Sequence, residues 1–244
     1  MMVSGFPQKA QSRSQRPRSF WSATGIGTSG IICFPTTGFL LSSRLRRPKP
    51  VWKMASNSED SFHEAIKFSL EKLGKPDLEL KREQFETIRA VCVERKDVLA
   101  VLPTGFGKSL IYQILPAIFD FLQSRGDKQE ENSVVIVVSP LNTLMKDQLK
   151  KLEGFLNVCV VQSVEDEEGE NKVNLPEDVR KCSLLFGHPE VFVDHKNTAK
   201  MLKEKHFQES VQAIVIDEAH LVQQWLVYFS VITHLSLYMN VINK

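Results

Sequence analysis

From residue 59 onward the apolar positions follow two different rhythms. Over 61–73, Phe62, Ile66, Leu70 and Leu73 recur at helical spacing, with Gly74 as a stop. Phe85, Ile88 and Val91/Cys92 mark a second helix. A short continuous apolar run at 98–102, bounded by Asp97 and Pro103, predicts a buried strand. A long helix follows over 108–122, with Pro116 as a point where it could kink. A second apolar run, 134–138, is stopped by Ser139-Pro140, and a helix over 141–152 then carries Lys146, Lys150 and Lys151. Three more short apolar runs stand at 158–162, 183–186 and 213–216. The acidic stretch 165–170 reads as a solvated loop. Continuously apolar strands alternating with helices predict an α/β fold, a mostly parallel sheet with helices on both faces.

Composition changes that picture at the ends of the chain. Hydrophobic residues make up 42% of the 244 positions and charged residues 25%, which excludes a collagen-like, coiled-coil or wholly disordered chain. The net charge of +2 conceals a split. Residues 1–53 hold nine Lys/Arg and no acidic residue, whereas 54–244 hold 22 basic and 29 acidic residues, a net of −7. The leader, rich in Ser, Arg, Pro and Gly, is expected to remain disordered and outside the fold through residue 58. Its Gly25-Ile26-Gly27-Thr28-Ser29-Gly30 satisfies GxGxxG but is preceded by coil-like sequence and followed by a Pro-broken run, so it reads as chance. The leader also fits a mitochondrial transit peptide, or upstream sequence before a start at Met54. Cys33, Cys92, Cys159 and Cys182 stand far apart without a CxxC pair, predicting reduced thiols and no zinc site. The almost uncharged run 226–242 is at the lower limit for a membrane span, but Ser230, Thr233, His234, Ser236 and Asn240 argue against one. Residues 226–244 are read as an atypical apolar tail.

The chemical signal lies at two strand ends. Pro103-Thr104-Gly105-Phe106-Gly107-Lys108-Ser109 joins a predicted buried strand to a helix N-terminus. Gly105 and Gly107 let backbone N–H groups turn toward phosphate oxygens, and the helix adds its positive end. Lys108 can reach the β- and γ-phosphates, and the Ser109 hydroxyl can ligate Mg²⁺. Leu102 stands where the general GxxxxGK[ST] pattern has Gly. At the end of the last strand, Asp217 can hold Mg²⁺, and Glu218 can orient and deprotonate the attacking water.

These segments resemble superfamily 2 helicases, and within them the RecQ family. Pro103–Ser109 with Leu110-Ile111-Tyr112-Gln113 is similar to motif I. Val138-Ser139-Pro140-Leu141, continuing to Leu144-Met145-Lys146-Asp147-Gln148, is similar to motif Ia. Leu184-Leu185-Phe186 with His188-Pro189-Glu190 resembles the strand and turn before motif II; Asp217-Glu218-Ala219-His220 is a DEAH box; Gln224-Trp225 falls where an aromatic-rich loop begins. The resemblance implies a first RecA-like P-loop lobe over 59–225 that uses ATP and Mg²⁺ to move 3′-to-5′ on single-stranded or 3′-tailed DNA. It implies ATP contacts from Thr104, Gly105, Phe106, Gly107, Lys108 and Ser109, catalytic roles for Lys108, Asp217 and Glu218, and metal ligation by Ser109 and Asp217. Gln84 would read adenine, and Lys81 stands where the family has Arg. Ser139, Pro140 and Lys146 are the nucleic-acid candidates. Motifs III–VI are not recognisable after Trp225, so the 244 residues alone are expected not to unwind DNA. Two rival readings remain: a non-catalytic nucleotide- and DNA-binding regulatory isoform, and a DEAH-type RNA helicase. Motif Ia favours DNA. A DNA helicase implies the nucleus, with mitochondrion or cytoplasm as alternatives, and no membrane association. No partner protein is suggested.

Overall fold

The computed structural model describes residues 28–35, 58–124, 132–140, 142–165, 171–177, 179–193 and 195–218. In chain order the elements are β1 (Thr28–Pro35), α1 (Ser58–Lys72), α2 (Arg82–Cys92), β2 (Val98–Pro103), α3 (Lys108–Gln123), β3 (Val134–Val138), α4 (Asn142–Leu152), β4 (Val158–Glu165), β5 (Asn171–Asn174), β6 (Leu184–Gly187), α5 (Pro189–Val193), α6 (Lys196–Lys203), α7 (Lys205–Ser210) and β7 (Val211–Ile216). A single 3₁₀ turn, Val179–Lys181, precedes β6.

The strands form one sheet in the order β2-β1-β7-β3-β6-β4-β5. β7, β3, β6 and β4 pair in parallel. β2 points the same way, because it and β7 are both antiparallel to β1. β5 closes the far edge antiparallel to β4.

Alternation along each strand splits the core in two. Val135 and Val137 of β3, Leu184 and Phe186 of β6, and Ala213 and Val215 of β7 face a core shared with α1–α4. Val134, Ile136 and Val138, Leu185, and Ile214 and Ile216 face the other core, shared with α5–α7. A strand buried on both faces needs apolar residues at every position, and β3 is Val-Val-Ile-Val-Val, buried throughout. The expected helices on both faces of a mostly parallel sheet are therefore present. α3 runs through Pro116 as one helix, with residues 110–119 buried.

Two expectations need correction. The leader was expected to lie wholly outside the fold, yet Thr28–Pro35 form an interior strand whose Ile31 is fully buried. Six uncharged, mostly β-favouring or small residues precede Phe34-Pro35, and the slot supplies ladder partners on both sides. Thr28, Ser29 and Gly30 of the GxGxxG match thus belong to a strand. The cysteines were expected to be reduced, yet Cys159 and Cys182 are disulfide-bonded with Cα atoms 5.8 Å apart. The 23-residue separation hides a proximity set by the sheet, where β4 and β6 are parallel neighbours. Of the acidic stretch read as a loop, Glu165 ends β4 and residues 166–170 lie outside the described residues; Asn171–Asn174, beyond it, pair with β4. The other leader residues, Leu141, Ala219, His220, Gln224, Trp225 and the apolar tail lie outside the described residues.

Candidate nucleotide site

The five parallel-running strands end their carboxyl termini at one side of the sheet, and both candidate segments leave from there. β2 ends at Pro103, and the loop from Thr104 to Gly107 delivers the chain into α3. Gly105 has φ 78° and Gly107 φ 90°, in the left-handed region open to glycine. At Gly107 space matters as well: a Cβ there would stand 2.7 Å from Gln84 Nε2.

Gln84 binds the loop to the start of α2. Its Oε1 accepts from the Lys81 backbone N–H at 2.9 Å, and its Nε2 donates to the carbonyls of Phe106 and Gly107 at 3.2 and 3.0 Å. The residue is 3% exposed. Lys81 stands over the Phe106 ring, its Nζ 4.0 Å from the centroid, and donates to the Phe106 carbonyl at 3.4 Å. The two residues expected near adenine thus hold the outer wall of the phosphate loop.

Inside the loop, Lys108 Nζ donates to the carbonyl oxygens of Pro103 and Leu102 at 3.2 and 3.5 Å. That holds its charge at the end of β2. Ser109 Oγ accepts from Gln148 Nε2 at 3.3 Å, and Gln148 Oε1 accepts from Gln113 Nε2 at 2.6 Å. Ser109 and Gln113 are four apart on α3 and so share a face.

β7 supplies the other half. The Asp217 backbone N–H donates to the Val138 carbonyl at 2.9 Å, which extends the β7–β3 ladder one step. Asp217 Oδ1 accepts from the Glu218 N–H at 2.9 Å, and Oδ2 from Tyr112 Oη at 3.5 Å. Glu218 has φ 52°, in the left-handed region, directly after the strand. Asp217 is 8% exposed, and burial is the main cause that pushes its pKa up to about 6. The nearby Glu218 charge pushes the same way, while the Glu218 N–H, Lys108 and Tyr112 oppose it. Burial also pushes the Tyr112 phenol upward, with Asp217 adding to the effect.

The structure therefore brings Lys108, Ser109, Asp217 and Glu218 to one end of the sheet, with Tyr112 linking the two halves. Tyr112, Gln113 and Gln148 have no role that the sequence assigned. For Tyr112 and Gln113 the signal was polar groups three and four residues after Ser109 in an otherwise apolar helix; Gln148, on α4, had no such signal. Among the described residues no cluster of three or more His, Cys, Asp or Glu could hold a metal. One buried carboxylate with one hydroxyl is a hard-oxygen set that suits Mg²⁺, which keeps waters and takes its remaining ligands from phosphates. A buried carboxylate with a raised pKa also gains from a neighbouring dication, so the residues present fit that ion.

The nucleic-acid candidates are not equivalent. Ser139 is 2% exposed and its N–H donates to the Gly187 carbonyl at 3.1 Å; Pro140 is buried, and Lys146 is exposed on α4. The His188 ring ties this corner together, with Nε2 2.8 Å from the Pro140 carbonyl and Nδ1 in contact with Glu190.

A RecA-like sheet with these segments at its carboxyl end is the architecture of a helicase motor lobe. The chain belongs to the DEAD/DEAH box helicase family, whose profile matches residues 81–242, running into the stretch read as an apolar tail. Within that family its relatives are of RecQ type. It is 34% identical over 148 residues to the ATP-dependent DNA helicase hus2/rqh1 of Schizosaccharomyces pombe, covering 59% of this chain and 10% of that one. It is 32% identical over 150 residues to the ATP-dependent DNA helicase RecQ of Haemophilus influenzae, covering 59% and 21%. With the ATP-dependent DNA helicase Q-like 5 of Arabidopsis thaliana it shares 35% over 129 residues, covering 52% and 12%. The chain thus spans a tenth to a fifth of the length of these relatives.

Proposed function

We propose that these residues form the nucleotide-binding lobe of a RecQ-type, ATP-dependent 3′-to-5′ DNA helicase. The observation that carries this reading is the convergence of Lys108 and Ser109, at the start of α3, with Asp217 and Glu218, at the end of β7, linked through Tyr112. The loop N–H groups and Lys108 hold the triphosphate, and Ser109 and Asp217 would hold Mg²⁺. That ion would neutralise charge on the transferring phosphoryl group. Glu218 orients and deprotonates the attacking water. Lys81 and Gln84 line the loop's outer wall, and Gln84 turns to a base by exchanging its bonds to Phe106 and Gly107. The DNA substrate is supported by the three relatives above, each an ATP-dependent DNA helicase, and implies work in the nucleus.

The test is isothermal calorimetry of ATP·Mg²⁺ on the full chain and on Lys108→Ala. Loss of one charge-assisted phosphate contact is expected to weaken binding by about tenfold or more. Equal affinity for the two proteins overturns the phosphate-site assignment.

A further inference from the structure

Polar side chains between packed elements are costly unless each finds a partner. Gln113, 6% exposed, stands on α3 among the buried Leu110, Ile111, Ile114 and Leu115. Its partner comes from the neighbouring helix, where Gln148 Oε1 accepts from Gln113 Nε2 at 2.6 Å. Gln148 in turn donates from Nε2 to Ser109 Oγ at 3.3 Å. One amide of α4 thus bridges two residues one turn apart on α3. The bond from Gln113 also settles which end of that amide faces Ser109. Its oxygen is taken by Gln113, so Ser109 receives the N–H.

The run of bonds continues beyond Ser109. Burial pushes the Tyr112 phenol upward, and a hydrogen bond from the Ser109 side chain opposes it. Tyr112, fully buried, turns its hydroxyl to Asp217 Oδ2 at 3.5 Å. Its ring meets Phe186 of β6 edge-on, with centroids 6.1 Å apart. Donation therefore runs one way, from Gln113 to Gln148, Ser109, Tyr112 and the Asp217 carboxylate. The chain passes through both residues read above as Mg²⁺ ligands.

That direction matters at Ser109. A hydroxyl has one proton and two lone pairs. The proton is committed to Tyr112 and one lone pair to Gln148. One lone pair is left, and a lone pair is what a hard cation takes. Without Gln148 the hydroxyl is a freer rotor that must be ordered when the ion binds.

We propose that Gln148 is a positioning residue for Ser109: its amide, oriented by Gln113, fixes the Ser109 hydroxyl with a lone pair open to Mg²⁺ and so sets the Mg²⁺ requirement of nucleotide binding. The inference rests on the reading of Ser109 as a metal ligand. Groups that orient a ligand in this way change metal affinity by about 10–100-fold when removed.

The test is calorimetric ATP binding by the full chain, across a titration of free Mg²⁺ and in EDTA, for the parent, Gln148→Met, Ser109→Ala and the double variant. Methionine fills the space of glutamine without its amide. Gln148→Met is expected to raise the free Mg²⁺ needed for half-maximal tightening about tenfold, with the affinity for metal-free ATP unchanged. Ser109→Ala is expected to raise it as much or more. The double variant should go no further than Ser109→Ala alone, because Gln148 acts through that hydroxyl. A Mg²⁺ requirement untouched by Gln148→Met, or additive losses in the double variant, overturns the proposal and leaves Ser109 as a ligand. An equal loss with and without Mg²⁺ makes Gln148 a packing residue and overturns it too. If Ser109→Ala leaves the Mg²⁺ requirement of the parent, the metal-site reading fails and this proposal falls with it. Should Gln148→Met not fold, Gln113→Met decides. It frees the amide's oxygen end and is expected to move the Mg²⁺ requirement in the same direction; no movement overturns the proposal.

Discussion

Asp217 carries its charge where water has little access, and that single placement has a sign. Its pKa is pushed up to about 6 in the folded chain, from an ordinary value of 3.8. An acid with a raised folded pKa keeps its proton at pH values where the unfolded chain has lost it. Stability from this group is therefore full below about pH 4, declines as pH rises from 4 to 6, and is lowest above 6. At about 1.4 kcal/mol per pKa unit, the loss is about 3 kcal/mol for the nucleotide-free protein. Asp217→Asn keeps an oxygen to accept from the Glu218 N–H, and its amide N–H can donate to Tyr112 Oη, but it has no charge to bury. It is expected to raise the stability of the nucleotide-free chain at pH 7.5, and by about half as much at pH 5, midway through the decline. Thermal unfolding of both proteins at the two pH values checks this, and an equal difference at both would remove buried charge as the cause. In the same variant, ATP binding should lose its dependence on Mg²⁺.

At the scale of the element, the phosphate loop is shaped by two glycines that the structure distinguishes. Both have left-handed φ, which costs a residue with a side chain about 1–2 kcal/mol. A Cβ at Gly105 meets nothing within 4 Å, whereas one at Gly107 stands 2.7 Å from Gln84 Nε2. Gly107→Ala must therefore also displace the Gln84 bonds to Phe106 and Gly107, each contributing about 1 kcal/mol. It should destabilise the chain by about 2 kcal/mol more than Gly105→Ala. Denaturant unfolding of the two variants measures this, and equal losses would mean that Gln84 does not brace the loop. The sequence displayed these loop glycines and the elements around them because each core strand is a short apolar run and α1–α4 repeat their apolar positions over three or more turns. α5, α6 and α7 have five, eight and six residues, too few turns to establish a period. β1 escaped because its composition resembles that of the flanking sequence; an uncharged octet becomes a strand only where two edges await it. In the site, Lys108, Ser109, Asp217 and Glu218 were legible because their positions are fixed by strand ends. Tyr112 and Gln148 were not, because their partners are 105 and 39 residues away.

For the whole molecule, the balance of charge limits where the proposed DNA substrate can lie. Residues 54–244 carry a net of −7, so any phosphate contact must come from a local patch. The most coherent one among the described residues is α4, which starts beyond the carboxyl end of β3, at the same side of the sheet as the phosphate loop. Lys146 and Lys150 are both exposed and stand four residues apart, on one face of the helix. Met145 and Leu152 anchor the helix in the core it shares with α3, while the lysines remain in solvent. Gln148 joins α4 to the start of α3 through Ser109, so α4 is the place to test for a single strand beside the nucleotide loop. If it does, each lysine neutralises one phosphate and releases counterions. The slope of log K against log salt on single-stranded DNA then falls by about 0.7 per lysine removed, about 1.4 for Lys146→Ala with Lys150→Ala. Lys200→Ala with Lys203→Ala serves as the control, because these residues are exposed on α6, on the opposite face of the sheet. Fluorescence anisotropy with a labelled oligonucleotide, titrated from low to moderate salt, gives both slopes. A fall in slope confined to the α4 pair is the expected result. Equal slopes for the two double variants would leave the α4 lysines as solvated surface and move the DNA path elsewhere.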